Sequence, residues 1–159
     1  MVCGKRRAFV ERSDGAFLEE VRKYYVALDV VADLRSVSHE PIKLAVFDFG
    51  DAATSIAPAL SSIAETDQVV VSGPHWVDVM ARGANKGVAL SALQEELGVT
   101  REQTAAFGDY LNDLEMLEAA GLSFAMENAH PDITLAARFQ APHHEAGGVI
   151  TVLSEILSL

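Results

Sequence analysis

From Lys86 to Leu157, short apolar runs alternate with longer amphipathic segments, and nothing else in the chain constrains its fold as tightly. A helix is predicted over Lys86–Leu97, with Leu90, Leu93 and Leu97 on one stripe and Gly98 as its stop. A short buried strand is expected over Thr104–Phe107, then a helix over Asn112–Ala120 closed by Gly121. A strand over Leu122–Met126, a helix over Pro131–Ala137, a strand over Arg138–Ala141 and a helix over Gly147–Leu157 complete the series. Strands that take turns with helices form parallel sheets with right-handed crossovers, so this half is expected to be an α/β unit.

Residues 1–82 follow a different grammar. Ala8–Val10 reads as a short strand. Ser13-Asp14-Gly15 reads as a helix start, followed by Phe17, Leu18, Val21, Tyr24, Tyr25 and Leu28 at helical spacing. A strand is expected over Ile42–Phe49. A helix is expected over Ala53–Ala64, where Pro58 is admissible only in a first turn. Gln68–Ser72 and His75–Met80 read as a hairpin around Gly73-Pro74. The expectation is a small α+β layer over 1–82, a hinge at Arg82-Gly83-Ala84, and the α/β unit over 83–159.

Composition narrows the function classes. Half of the 159 residues are hydrophobic, enough for a sizeable core. The net charge of −11 argues against a nucleic-acid or anionic-membrane partner. Cys3 is the one cysteine, which excludes a disulfide framework within the chain and a cysteine-based zinc site. No apolar run approaches the ~20 residues of a membrane helix. Met1–Arg7 has no hydrophobic stretch behind its charges, so a cytoplasmic location is expected. Residues 1–82 carry 9 basic and 12 acidic side chains, a net of −3; residues 83–159 carry 3 and 11, a net of −8. The second half would hold a cation easily and would need help to hold an anion.

Phe107-Gly108-Asp109-Tyr110-Leu111-Asn112-Asp113 is the stretch richest in chemistry. Two carboxylates and an amide follow the end of a predicted parallel strand, where such sheets bind ligands. Clustered carboxylates suit a hard cation such as Mg²⁺, and Asn112 can donate to a phosphate oxygen. Taken by itself the stretch is read equally well as a turn at Asp109 with Asn112 or Asp113 capping the next helix. His143-His144 reads as a solvated pair with metal binding as its sharper alternative, and Trp76 as hairpin packing or a pocket wall.

Three further segments flank it: Asn85-Lys86-Gly87, Ala125-Met126-Glu127-Asn128-Ala129, and Gly147-Gly148-Val149. In this order and spacing the set resembles the C-terminal half of the haloacid-dehalogenase-like phosphohydrolases, and among them the Cof-like branch, subfamily IIB. The resemblance covers about residues 40–159. It implies a partial Rossmann-like core over 83–159 and the later part of an α+β cap over 1–82. It implies a Mg²⁺-dependent hydrolase of phosphate monoesters, often sugar phosphates, working through an aspartyl phosphate. Lys86 matches the lysine that steadies the nucleophile and the phosphoryl oxygens. Asp109 matches a metal ligand, and Asn112 and Asp113 match positions that orient the phosphate and the metal's water shell. Phosphoryl transfer rests on positioning and charge stabilisation, so a lysine and a metal converging on phosphate make physical sense.

The sequence also departs from the pattern. The family's DxDGT nucleophile motif, two aspartates at the end of the first core strand, occurs nowhere among the 159 residues, and Glu127 stands where AMGNA has glycine. The chain therefore reads as late cap plus late core: a shortened product, a fragment, or a remnant. Leu44–Phe49 imitates the nucleophile strand, with Asp48 at its end, but Gly50 occupies the position of the second aspartate. A capless phosphatase using Asp48 is the weaker reading; a non-catalytic binding module is the stronger alternative. Without the first core strand, the strand before Gly108 would have an open edge, and a homo-oligomer covering it is expected.

Overall fold

The computed structural model describes residues 1–38 and 40–158, and divides them into two compact units, Met1–Arg82 and Gly83–Leu159. None of its helices is long and apolar enough to cross a membrane.

The first unit is built on a six-stranded sheet. Its strands are β1 (Val2–Gly4), β2 (Ala8–Val10), β3 (Leu28–Val30), β4 (Pro41–Phe47), β5 (Gln68–Gly73) and β6 (Trp76–Met80). The spatial order is β3-β2-β1-β4-β6-β5, antiparallel throughout except for the parallel β2–β3 pair. Helix α1 (Gly15–Arg22) is capped by Asp14, whose carboxylate accepts from the Phe17 N–H at 3.1 Å. Its Phe17 and Val21 pack on Cys3, Ala8, Val10, Ala45 and Trp76. The Lys43 ammonium donates to buried Asp78 at 2.8 Å, and Cys3 Sγ lies 3.5 Å from the Tyr25 hydroxyl. Burial, then the Cys3 contact, pushes the Tyr25 hydroxyl up to about 12.

Two expectations for this unit need correction. Leu28 is not on the first helix. The helix ends at Arg22, and Leu28 opens β3 instead. The single helix expected over 53–64 is three short pieces: α2 (Ala52–Ser55) and two 3-10 turns, Ala57–Leu60 and Ile63–Glu65. Pro58 has no N–H to give, so it falls at the start of a new turn rather than inside a helix. The strand before Asp48 lies between β1 and β6 and is antiparallel to both.

The second unit is a three-stranded parallel sheet, β7 (Ala105–Gly108), β8 (Leu122–Met126) and β9 (Phe139–Ala141), in that order. Its helices are α3 (Lys86–Leu97), α4 (Leu114–Glu118), α5 (Pro131–Ala136) and α6 (Gly148–Leu157). Alternate strand residues feed two cores, as a sheet covered on both faces requires. Ala106 and Ala125 pack with Leu90, Leu117 and Ile133 of α3, α4 and α5; Phe107, Phe124 and Met126 pack with Val149 and Val152 of α6. Gly98 stops α3 at φ +66°. Of the predicted leucine stripe only Leu90 joins a core; Leu93 and Leu97 are 50% and 63% exposed. The helix expected over 112–120 opens as a 3-10 turn, Leu111–Asp113, before α4. Among the described residues β7 pairs only with β8, so its other edge is open.

Candidate active site

Three loops leave the C-terminal ends of β7, β8 and β9 and tie to one another. After β7 the chain turns at once, because Gly108 lets Asp113 close over it. A Cβ on Gly108 would sit 2.6 Å from Asp113 Cβ. The Asp113 N–H donates to Tyr110 O at 2.8 Å, and its carboxylate Oδ2 accepts from the N–H groups of Asp109 (3.0 Å) and Tyr110 (3.3 Å). The other oxygen, Oδ1, accepts from Lys86 Nζ. Asp113 is 5% exposed, so its charge is met by one ammonium and two backbone donors, as a buried carboxylate requires.

Lys86 is the first residue of α3, behind an Asn85 cap that accepts from the Val88 N–H at 2.8 Å. Gly87 brings this helix against α4, where a Cβ would lie 2.5 Å from the Glu115 carbonyl oxygen. That close approach puts the Lys86 ammonium on Asp113. The Lys86 side chain remains about half exposed.

Asp109 stands at the sheet edge with its side chain partly exposed. Its Oδ2 accepts from Asn128 Nδ2 at 3.1 Å, and its carbonyl accepts from the His130 N–H at 2.8 Å. Asn128 Oδ1 in turn accepts from the His144 N–H at 3.1 Å, which fixes the amide's orientation from both ends. His144 Nδ1 lies 3.8 Å from Asp109 Oδ2. Asn112 Oδ1 is buried and has no hydrogen-bond donor among the described residues. A buried acceptor without a donor is costly, and it marks a place where a ligand or water completes the structure.

Lys86, Asp109, Asn112 and Asp113 therefore lie in one unit, with the first and last in direct contact. Asn128 has no site role in the sequence reading, and His144 enters it only as half of a histidine pair with metal binding as an alternative. The signal for Asn128 was an amide directly after a strand end; His144 reaches Asp109 only because the loops after β8 and β9 meet. Asp48 falls in the first unit. The N–H of Gly50, 2.8 Å away, and then the Ser55 hydroxyl hold the Asp48 carboxyl below the usual carboxylate range. Trp76 is buried against Phe47, with ring centroids 4.8 Å apart.

The second unit is thus an α/β unit that gathers carboxylates, amides and a lysine at the ligand-binding edge of a parallel sheet. The chain belongs to the haloacid dehalogenase-like hydrolase family, whose model matches residues 2–153. It is 30% identical over 159 residues to the 5-amino-6-(5-phospho-D-ribitylamino)uracil phosphatase YbjI of Escherichia coli K12, across 99% of this chain and 59% of that protein. It is 40% identical over 94 residues to the phosphatase YwpJ of Bacillus subtilis 168, across 59% of this chain and 33% of that protein. The crystal structure of SMU.1108c from Streptococcus mutans UA159 superposes with a TM-score of 0.87 at 25% identity, across 99% of this chain and 60% of that one. The chain thus spans about three fifths of the YbjI phosphatase's length.

Proposed function

We propose that this chain carries part of the active site of a Mg²⁺-dependent phosphate monoester hydrolase acting on a small phosphorylated metabolite. The observation that carries the reading is the Lys86–Asp113 pair beside Asp109 at the C-terminal edge of β7. In this reading the second unit is the later half of the catalytic core and the first unit the later part of the cap. A cytoplasmic location belongs to the same reading.

The donor set fits a hard cation. Asp109 is partly exposed at the strand end, held from behind by Asn128, and offers oxygen. Asp113 has both oxygens engaged within the chain, so it serves the cation through the water shell and by fixing the turn under Asp109. When bound, Mg²⁺ supplies charge stabilisation to phosphoryl oxygens. Lys86 presents its ammonium to the same oxygens, positioned by Asp113. The Asn112 amide orients the phosphate. The family's covalent nucleophile and acid/base pair, a DxD, has no counterpart among the 159 residues. A sugar or polyol phosphate is the substrate class favoured, in line with the 5-phospho-D-ribityl group in the name of the Escherichia coli relative.

A Mg²⁺ titration followed by backbone NMR tests the site. Shifts confined to Gly108–Asp113 and their neighbours are expected at millimolar metal, and their absence in wild type or their persistence in Asp109→Asn rejects the reading. Turnover tests the chemistry. The 159 residues alone are expected to show little or no hydrolysis of a sugar phosphate or an aryl phosphate. Losing a covalent nucleophile leaves only binding and electrostatic effects. A non-catalytic binding module is the second reading, favoured by that missing pair. Robust turnover abolished by Asp48→Asn would instead establish the capless reading.

A further inference from the structure

We propose that His143, His144 and Glu145 form a second cation site, distinct from the oxygen site at Asp109, that takes a borderline divalent metal such as Zn²⁺. One ligand atom from each of the three side chains lies within 4.8 Å of the others. The segment is held in place from behind: the His143 N–H donates to Glu127 Oε2 at 3.1 Å and the His144 N–H to Asn128 Oδ1 at 3.1 Å. A short 3-10 turn, His144–Ala146, then carries the ligands out from the end of β9.

The surroundings of His144 suit ligation. Its Nδ1 faces Asp109 Oδ2 at 3.8 Å, and its Nε2 faces Glu145 Oε1 at 4.0 Å. Ligation through Nε2, on the Glu145 side, would leave Nδ1 turned toward the Asp109 carboxylate. Metal-ligating histidines are commonly oriented by a carboxylate in this way. His143 Nδ1 accepts from the Glu145 N–H at 3.2 Å. Metal binding exchanges that hydrogen bond for a metal bond, so the affinity is expected to fall short of a closed structural zinc site.

The donor set determines the metal. Two imidazoles and one carboxylate suit Zn²⁺, Ni²⁺ or Cu²⁺, whereas Mg²⁺ selects oxygen and holds its water. Three protein ligands leave a position open to solvent or an anion. The half of the chain that carries them has a net charge of −8, which favours any cation. The inference does not depend on Asp109 holding Mg²⁺.

The test is a Zn²⁺ titration of the isotope-labelled full chain in excess Mg²⁺, read on the histidine ring nitrogens. One equivalent is expected to shift His143 and His144 while His75 and His130 stay put. The double substitution His143→Asn/His144→Asn is expected to weaken Zn²⁺ at least about tenfold, the scale on which altered ligand shells change metal affinity. Glu145→Gln, at a largely exposed side chain, serves as the second variant should the first perturb the backbone spectrum, and it is expected to weaken Zn²⁺ as well. No binding, displacement by Mg²⁺, shifts at His75 or His130 instead, or equal binding by the variants would overturn the proposal.

Discussion

Gly87 shows how much one missing methyl group can carry. Its substitution by alanine would drive a Cβ into the Glu115 backbone, where no side chain can swing aside. Overpacking of this kind costs about 1–3 kcal/mol, so Gly87→Ala is expected to lower the urea midpoint and to loosen Lys86 from Asp113. Tyr25 gives a pH prediction for the first unit. Its hydroxyl is pushed from 10.0 up to about 12, so folding favours the neutral phenol. A raised folded value contributes stability that is complete below the unfolded value and lost above it. Alkaline unfolding of the first unit is therefore expected to set in between pH 10 and about 12. Tyr25→Phe is expected to remove this pH-dependent component, as read by circular dichroism. At this scale the sequence was legible where chemistry is local. Asp109, Asn112 and Asp113 stood out because they follow a predicted strand end, and Lys86 only through the resemblance. The Asn128–Asp109 and His144–Asn128 bonds join residues 19 and 16 apart, and no local pattern encodes them.

Elements were legible where periodicity or flanking turn signals marked them. The twelve-residue α3 and the five-residue β8 fell where periodicity and glycine stops put them. Of the three-residue strands, β2 and β9 are legible as apolar runs between turn signals, whereas β1 and β3 are not, since so short a run has no period and takes its conformation from its sheet partners. The stretch from 52 to 65 failed for the opposite reason: its composition suits a helix, but Pro58 forces a new start. The leucine stripe of α3 was overread, since two of its three leucines face solvent. The open edge of β7 leads to an expectation about association. Edges of this kind recruit strands from other chains unless they are blunted. The 159-residue chain is expected to form a homo-oligomer at micromolar concentration by light scattering. Ala105→Lys, which adds a charge at that edge, is expected to shift it toward monomer; a stable wild-type monomer would contradict the reading.

Across the whole chain, the change of grammar near residue 82 was visible because the two halves alternate their apolar residues differently, and two compact units meet the chain at that point. The reading of the two halves as late cap and late core rests on the resemblance alone, since antiparallel sheets and parallel sheets host many functions. The Lys86–Asp113 contact has a thermodynamic consequence for how ligands arrive. Lys86, Arg101 and Arg138 are the only fixed cations of the second half, and the lysine's charge is already matched by a buried carboxylate. Arg138 is occupied with the Gly121 carbonyl. A dianion approaching this unit thus meets a field that is negative on balance, and under the proposed function the binding of phosphate and of divalent metal is expected to be linked. Each is expected to raise the other's affinity by the same factor, as linkage demands. Calorimetric titration of inorganic phosphate with and without Mg²⁺ measures that factor directly. Equal phosphate affinity in both would mean that Lys86 can leave Asp113 and meet the anion without a metal's help.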